Sequence, residues 1–232
     1  VKEESKQLSD YEKYIRTQEL LSLQKEEEEL CCEDELTFQT VHQIAELHFK
    51  LILQYLDRSC KSMQKGDAEG ASLMIDRINE HLRQLPPVFD LVKAITPADY
   101  HTIRLFLGRG SGQDSPGFNA ILKEGPKLWE PFERLLKKEN RTLLQLLETP
   151  DGNRTLYRLL KTMLTFDEYF QTFRHSHIQL VKRMIGLRTK SLKGIPAQAL
   201  ERGARHEFYP LAWDAVCELT DLTGSSYDPK PL

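Results

Sequence analysis

Hydrophobic positions along this chain recur every three or four residues. That period belongs to helices with one buried face, and no alternating β-branched run marks a strand. The pattern predicts a first helix over about 8–25, ended by the acidic run at 26–29. A long helix is expected over 34–64, with Leu36, Val41, Ile44, Leu47, Leu51 and Leu56 at helical spacing. Lys65, Gly66 and Asp67 punctuate it. The next helix, over 68–94, carries Leu73, Ile75, Ile78, Leu82 and Leu85. Pro86 and Pro87 fall inside it, and their missing N–H groups predict a kink or a break.

Thr96-Pro97-Ala98-Asp99 reads as a helix start. Thr96 can cap, Pro97 suits the first helical position, and Asp99 complements the helix dipole. That helix is expected to end at Gly108, where a Gly/Ser-rich loop runs to Gly117. Helices over 126–147 and 152–186 follow, joined by a turn at 149–152. A basic loop at 188–194 and a last helix over 206–221 complete the pattern. There is no internal repeat and no clear linker. The expected fold is one all-α domain, residues 1–232, built of long antiparallel helices.

Composition narrows the function. The 32 Lys and Arg against 35 Asp and Glu give a formal charge of −3. A nonspecific nucleic-acid binder would be basic, so nucleic acid is not an expected partner. No apolar run reaches the 18 or so residues of a membrane span. The charged opening stretch has no apolar core of a secretory signal, so the expected location is the cytoplasm. Cys31, Cys32, Cys60 and Cys217 form no CxxC and no zinc spacing, and read as reduced thiols.

Two histidines need a reason. His177 sits on a stripe with Phe170, Phe173, Leu180, Val181 and Met184, so its imidazole points to the core. It is either a buried histidine bonded to a backbone carbonyl or an axial ligand to a haem iron. His42 follows Phe38 by four residues and shares its face, with Phe49 extending an aromatic wall. It too can be a satisfied core residue. The other five histidines have mixed surroundings that suit the helix surface. Arg104 lies four residues after Tyr100, just before the Gly/Ser loop. Its planar fork can clamp a carboxylate or pair with a surface acid such as Asp99. The loop is no phosphate cradle, because no Gly-Lys-Ser/Thr follows.

Together these segments resemble the tryptophan 2,3-dioxygenase family. Asp34-Glu35-Leu36-Thr37-Phe38-Gln39-Thr40-Val41-His42-Gln43, with Glu46-Leu47-His48-Phe49-Lys50, is similar to the family's DELLFIxxHQxxELWFK segment and is the most specific stretch. Tyr11-Glu12-Lys13-Tyr14-Ile15 precedes it. Tyr100-His101-Thr102-Ile103-Arg104 and Gly108-Arg109-Gly110-Ser111-Gly112 follow. Phe173-Arg174-His175-Ser176-His177 through Gly186 resembles the family's WRxxHxxMVxRxIG, and Phe208-Tyr209-Pro210-Leu211-Ala212-Trp213 its LFPELW.

The resemblance implies an all-helical haem b protein that forms a homo-oligomer, a tetramer or dimer, and acts on an aromatic amino acid with O2. His177 would be the axial iron ligand and His42 the catalytic residue beside the substrate's ring N–H. Arg104 would bind the carboxylate with Ser111 near it, and Phe38 and Tyr100 would wall the ring. Tyr11, Tyr14 and Ile15, in a segment of about 1–30, would pack on a neighbouring subunit and help close its site. One departure stands out. The family's GTGGSSG loop is replaced here by Thr189-Lys190-Ser191-Leu192-Lys193-Gly194, which lacks the glycines that loop's path needs. His48 also stands where the family has Trp. Three functions follow: dioxygenation of the indole C2–C3 bond of tryptophan or a close derivative, single-oxygen insertion into a modified tryptophan or other aromatic, or haem binding without turnover.

Overall fold

The computed structural model describes residues 8–108, 110, 112–188 and 203–222. Among them every regular element is helical, and no helix is long and apolar enough to cross a membrane. Three long helices carry the fold: α3 (Glu35–Gln64), α4 (Ala68–Asp90) and α9 (Arg154–Ile185). Around them lie α1 (Asp10–Ile15), α2 (Thr17–Leu21), α5 (Pro97–Phe106), α6 (Pro116–Glu124), α7 (Trp129–Lys138), α8 (Leu143–Glu148) and α10 (Pro210–Leu222).

The turn between α3 and α4 takes three residues. Gly66 adopts a φ of 84°, and the Asp67 side chain accepts the Gly70 N–H at 2.8 Å to cap α4. So short a connection makes the two helices antiparallel. α4 then lies between α3 and α9. Its pairings with α9 climb together: Asp76 with Arg158, Asn79 with Thr162, Phe89 with Phe173. These two helices therefore run in the same direction, and residues 91–153 form the crossover between them.

The buried stripe of α3 is Val41, Ala45, Phe49, Ile52, Leu56 and Met63. This corrects the expected one: Leu36, Leu47 and Leu51 are exposed. α3 has apolar residues around much of its circumference, and α4 can cover only one side. On α4, Ile75, Ile78, Leu82 and Leu85 are fully buried, while Leu73 faces out.

Four boundaries differ from the sequence reading. The expected helix over 8–25 is two short helices, broken at Arg16 with φ 56°. Ser9 and Glu12 form a capping box at its start, yet neither helix buries a residue. Without a buried face, nothing holds a longer helix together. The expected helix over 126–147 is likewise divided. Asn140 takes φ 52°, and the Arg141 N–H closes back on the Leu136 carbonyl at 3.2 Å, a left-handed helix stop. Thr142 and Gln145 cap α8 reciprocally.

Residues 116–124 form a helix where a loop and its continuation were expected. Ser115-Pro116-Gly117 is its start: Ser115 accepts the Phe118 N–H at 3.1 Å, and Pro116 occupies the first turn. Finally, α4 continues through Pro86 and Pro87 and ends at Asp90 in a 3-10 turn. Leu82, Leu85 and Phe89 are buried on either side of the prolines, and that packing outweighs the lost helical hydrogen bonds.

Asp167 anchors the C-terminal helix. This fully buried carboxylate on α9 accepts the backbone N–H of Phe208 at 2.9 Å and of Tyr209 at 3.3 Å, and the Trp213 indole N–H at 3.0 Å. The Tyr209 hydroxyl donates to the Gly125 carbonyl at 3.1 Å, tying the same corner to the crossover.

Candidate functional site

The first half of α3, the end of α4 and the second half of α9 converge on a cavity of about 610 Å³. α3 contributes Phe38, His42, Ala45, Glu46 and Phe49, α4 contributes Phe89, and α9 contributes Phe173, Arg174, His177 and Ile178. α6 forms another wall through Phe118, Asn119 and Leu122, while Leu107, Gly110, Gly112, Asp114, Ser115 and Gly203 complete the lining. Size and apolar character suit a planar organic ligand.

His42 and His177, far apart in sequence, face this one cavity. Phe89 contacts both, with ring centroids 5.5 Å from His42 and 6.0 Å from His177, edge-on to each. Burial, with the nearby His42, pushes the His177 pKa down to about 4. Burial also lowers that of His42, against the opposing pull of the Phe38 carbonyl and Glu46. Both imidazoles are thus neutral at neutral pH, the form that ligates a metal or accepts a hydrogen bond.

The tautomer of His42 follows from its partner. Nδ1 lies 2.7 Å from the Phe38 carbonyl oxygen, which can only accept, so Nδ1 carries the proton. Nε2 is left as an acceptor. The Phe38 ring rests 4.1 Å from the imidazole and fixes its plane. Around His177, Gly112 leaves room: a Cβ there would stand 3.5 Å from Nε2.

Glu46, one turn beyond His42, holds α6 in place. Its carboxylate accepts from the Ser115 hydroxyl and, at 3.1 Å, from the Gly117 N–H. A negative charge there complements the helix N-terminus. The close approach requires glycine, since a Cβ at 117 would stand 2.6 Å from both Glu46 Oε2 and Phe49 Cβ.

The remaining sequence candidates are distributed around this centre. Tyr100 lies behind Phe38, ring centroids 6.0 Å apart, and burial raises its hydroxyl pKa, partly opposed by Arg104. Arg104 is half-buried beside it on α5. Neither lines the cavity. Tyr11 and Tyr14 are exposed at 71% and 89%, and Ile15 at 39%, all on α1 away from the cavity of their own chain. Ser111 and the loop at 189–194 lie outside the described residues.

Among the lining residues given no site role from sequence, Glu46, Phe89, Phe118 and Arg174 carry most of the aromatic and charged character. Glu46 and Arg174 had a signal, standing four residues after His42 and three before His177 on the same helical faces. Phe89 and Phe118 had none, because their positions depend on how α4 and α6 dock.

A family model described as tryptophan 2,3-dioxygenase matches residues 1–124. The tryptophan 2,3-dioxygenase of Herpetosiphon aurantiacus is 27% identical over 90% of this chain and 98% of its own length. That of Nocardioides sp. is 26% identical over 90% and 94%, and that of Shewanella woodyi 25% over 86% and 87%. The match spans α3, α4 and α5 and reaches the end of α6, the elements that bring His42 to the cavity and close one side of it. With more than half its length matched by that model, the chain belongs to the tryptophan 2,3-dioxygenase family.

Proposed function

We propose that this protein is a haem-dependent oxygenase that dioxygenates the C2–C3 bond of the indole ring of tryptophan or a close derivative. The observation that carries the reading is the shared cavity, with two neutral imidazoles both in contact with Phe89. The residues fit a haem. A porphyrin needs an apolar slot and one neutral axial imidazole, and Phe49, Phe89, Phe118 and Phe173 surround His177 with the former. Iron bound through His177 would supply the activation of O2 that no side chain provides.

The chain's own residues bind and orient the substrate. Phe38 and His42 offer flat faces to an indole. His42 Nε2, left unprotonated by the bond from Nδ1–H to the Phe38 carbonyl, accepts the indole N–H and so sets the ring's orientation. The apolar walls exclude water from the reacting bond. Arg104 binds the amino acid's carboxylate and Tyr100 supports Phe38 from behind, with Ser111 close to Arg104. Tyr11, Tyr14 and Ile15 project from one protomer to close the site of another in a homo-oligomer.

A second reading rests on the replacement of the family's glycine-rich loop by residues 189–194. Different chemistry at the substrate's amino-acid end favours a modified indole with one oxygen inserted. Haem reconstitution of wild type beside His177→Ala tests the haem assignment. A sharp Soret band, lost or shifted in the variant, is expected; identical spectra would refute His177 as the ligand. Product mass from tryptophan then decides the reaction: two oxygens and an opened ring, or one oxygen and an intact ring.

A further inference from the structure

Arg174 enters the cavity wall from α9, three residues before His177. Its Nη1 is buried and has no hydrogen-bond partner among the described residues. The guanidinium carbon stands 5.8 Å from the centre of the Phe170 ring. On another side is Gly203, where a Cβ would come within 2.8 Å of Nη2. Asp167 is the acid whose charge reaches Arg174. Its carboxylate is already occupied, by Phe208 N–H, Tyr209 N–H and the Trp213 indole on one oxygen and by Gln171 on the other.

A guanidinium stays protonated in a protein. Arg174 is half-buried, and its one buried, unused donor gains a partner when an anion reaches it. Among the described residues no side chain of the lining, the polar Glu46, Asp114 and Asn119 included, bonds Nη1. A ligand in the cavity can supply the acceptor, and a planar carboxylate matches the guanidinium fork best.

We propose that Arg174 is a carboxylate-binding residue of the cavity, whose buried Nη1 is paired by a ligand that enters beside His177. The proposal rests on the haem-oxygenase reading only for the source of the carboxylate, which is either a haem propionate or the carboxylate of the aromatic substrate.

The test compares wild type with Arg174→Met, which keeps the side chain's bulk, and with Arg174→Lys. Haem release to apomyoglobin is timed for protohaem and for its dimethyl ester. If the anion is a propionate, wild type retains protohaem at least tenfold longer than the ester, and Arg174→Met removes the difference. If it is the substrate's, which Arg174 would then hold together with or in place of Arg104, the difference survives, while the variant weakens tryptophan binding tenfold or more and leaves tryptamine, which has no carboxylate, unaffected.

A third measurement is independent of haem: calorimetry of indole-3-propionate against indole on haem-free protein. A carboxylate preference in wild type that Arg174→Met abolishes supports the proposal even if no haem binds. If Arg174→Met changes none of the three preferences, the proposal is overturned and Arg174 is a packing residue. Partial recovery in Arg174→Lys would show that charge as well as fork geometry contributes.

Discussion

Glu46 on α3 accepts the backbone N–H of Gly117 in the first turn of α6, 3.1 Å away, across 71 residues of sequence. The same carboxylate takes the hydroxyl of Ser115, the α6 cap. One acid thus fixes the wall that carries Phe118 against the helix that carries His42. Glu46→Ala leaves that N–H without its acceptor and should cost about 1–3 kcal/mol. Urea unfolding should show a lower midpoint with an unchanged slope. A midpoint equal to wild type would mean the contact contributes nothing to α6 docking.

Gly117→Ala is the complementary change. The added methyl would meet Phe49 Cβ and Glu46 Oε2 at 2.6 Å, so the helices must part. Overpacking of this kind costs about 1–3 kcal/mol. Because Phe49 and Phe118 both line the cavity, the variant should also take up haem more slowly than wild type. Normal stability together with normal uptake would show that α6 can shift freely.

Asp167 is the hinge of the C-terminal corner. Asp167→Ala would strand two backbone N–H groups and the Trp213 indole, a loss of about 3 kcal/mol or more. Trp213 fluorescence should report the release of α10 at lower denaturant than far-ultraviolet circular dichroism reports loss of helix. Coincident, wild-type-like transitions would count against the anchor.

Glu35 makes a pH prediction. Burial pushes its carboxyl up, but bonds from Lys25 Nζ at 2.6 Å and the Cys31 N–H at 2.7 Å outweigh this and hold it below the ordinary glutamate value of 4.5. A depressed carboxyl contributes stability above its unfolded pKa, and that stability is lost as pH falls through the folded value. Glu35→Gln should therefore lower Tm at pH 7, with the gap to wild type closing below about pH 4.5. A gap that is constant with pH would assign the effect to shape rather than charge.

Arg104→Ala should weaken tryptophan binding about 10- to 100-fold with haem content unchanged, the worth of a charge-assisted pair. Tryptamine binding should be insensitive to the change. If tryptophan affinity were unaltered, the carboxylate would have to be held elsewhere in the site.

The helical class, the span of α3 and α9, and the turn at Lys65-Gly66-Asp67 were all legible in the chain. Each depends on local signals: a 3.6-residue apolar period, a cap and a glycine. His42 and His177 were legible for a related reason, being polar residues on apolar helical faces. The short breaks at Arg16 and Asn140 were not, since left-handed φ at non-glycine residues leaves little trace in sequence.

Which apolar stripe of α3 is buried, and that α4 and α9 run in the same direction, depended on packing. Leu47 and Phe49 have similar local pattern, and only the arrival of α4, α6 and α9 distinguishes the exposed one from the buried one. The cavity is of the same kind. Phe89 meets both histidines, and Arg174 has a donor without an acceptor among the described residues, because three helices meet there. Helical periodicity is a property of neighbours along the chain, whereas burial, neutral imidazoles and a buried guanidinium nitrogen without an acceptor are properties of neighbours in space.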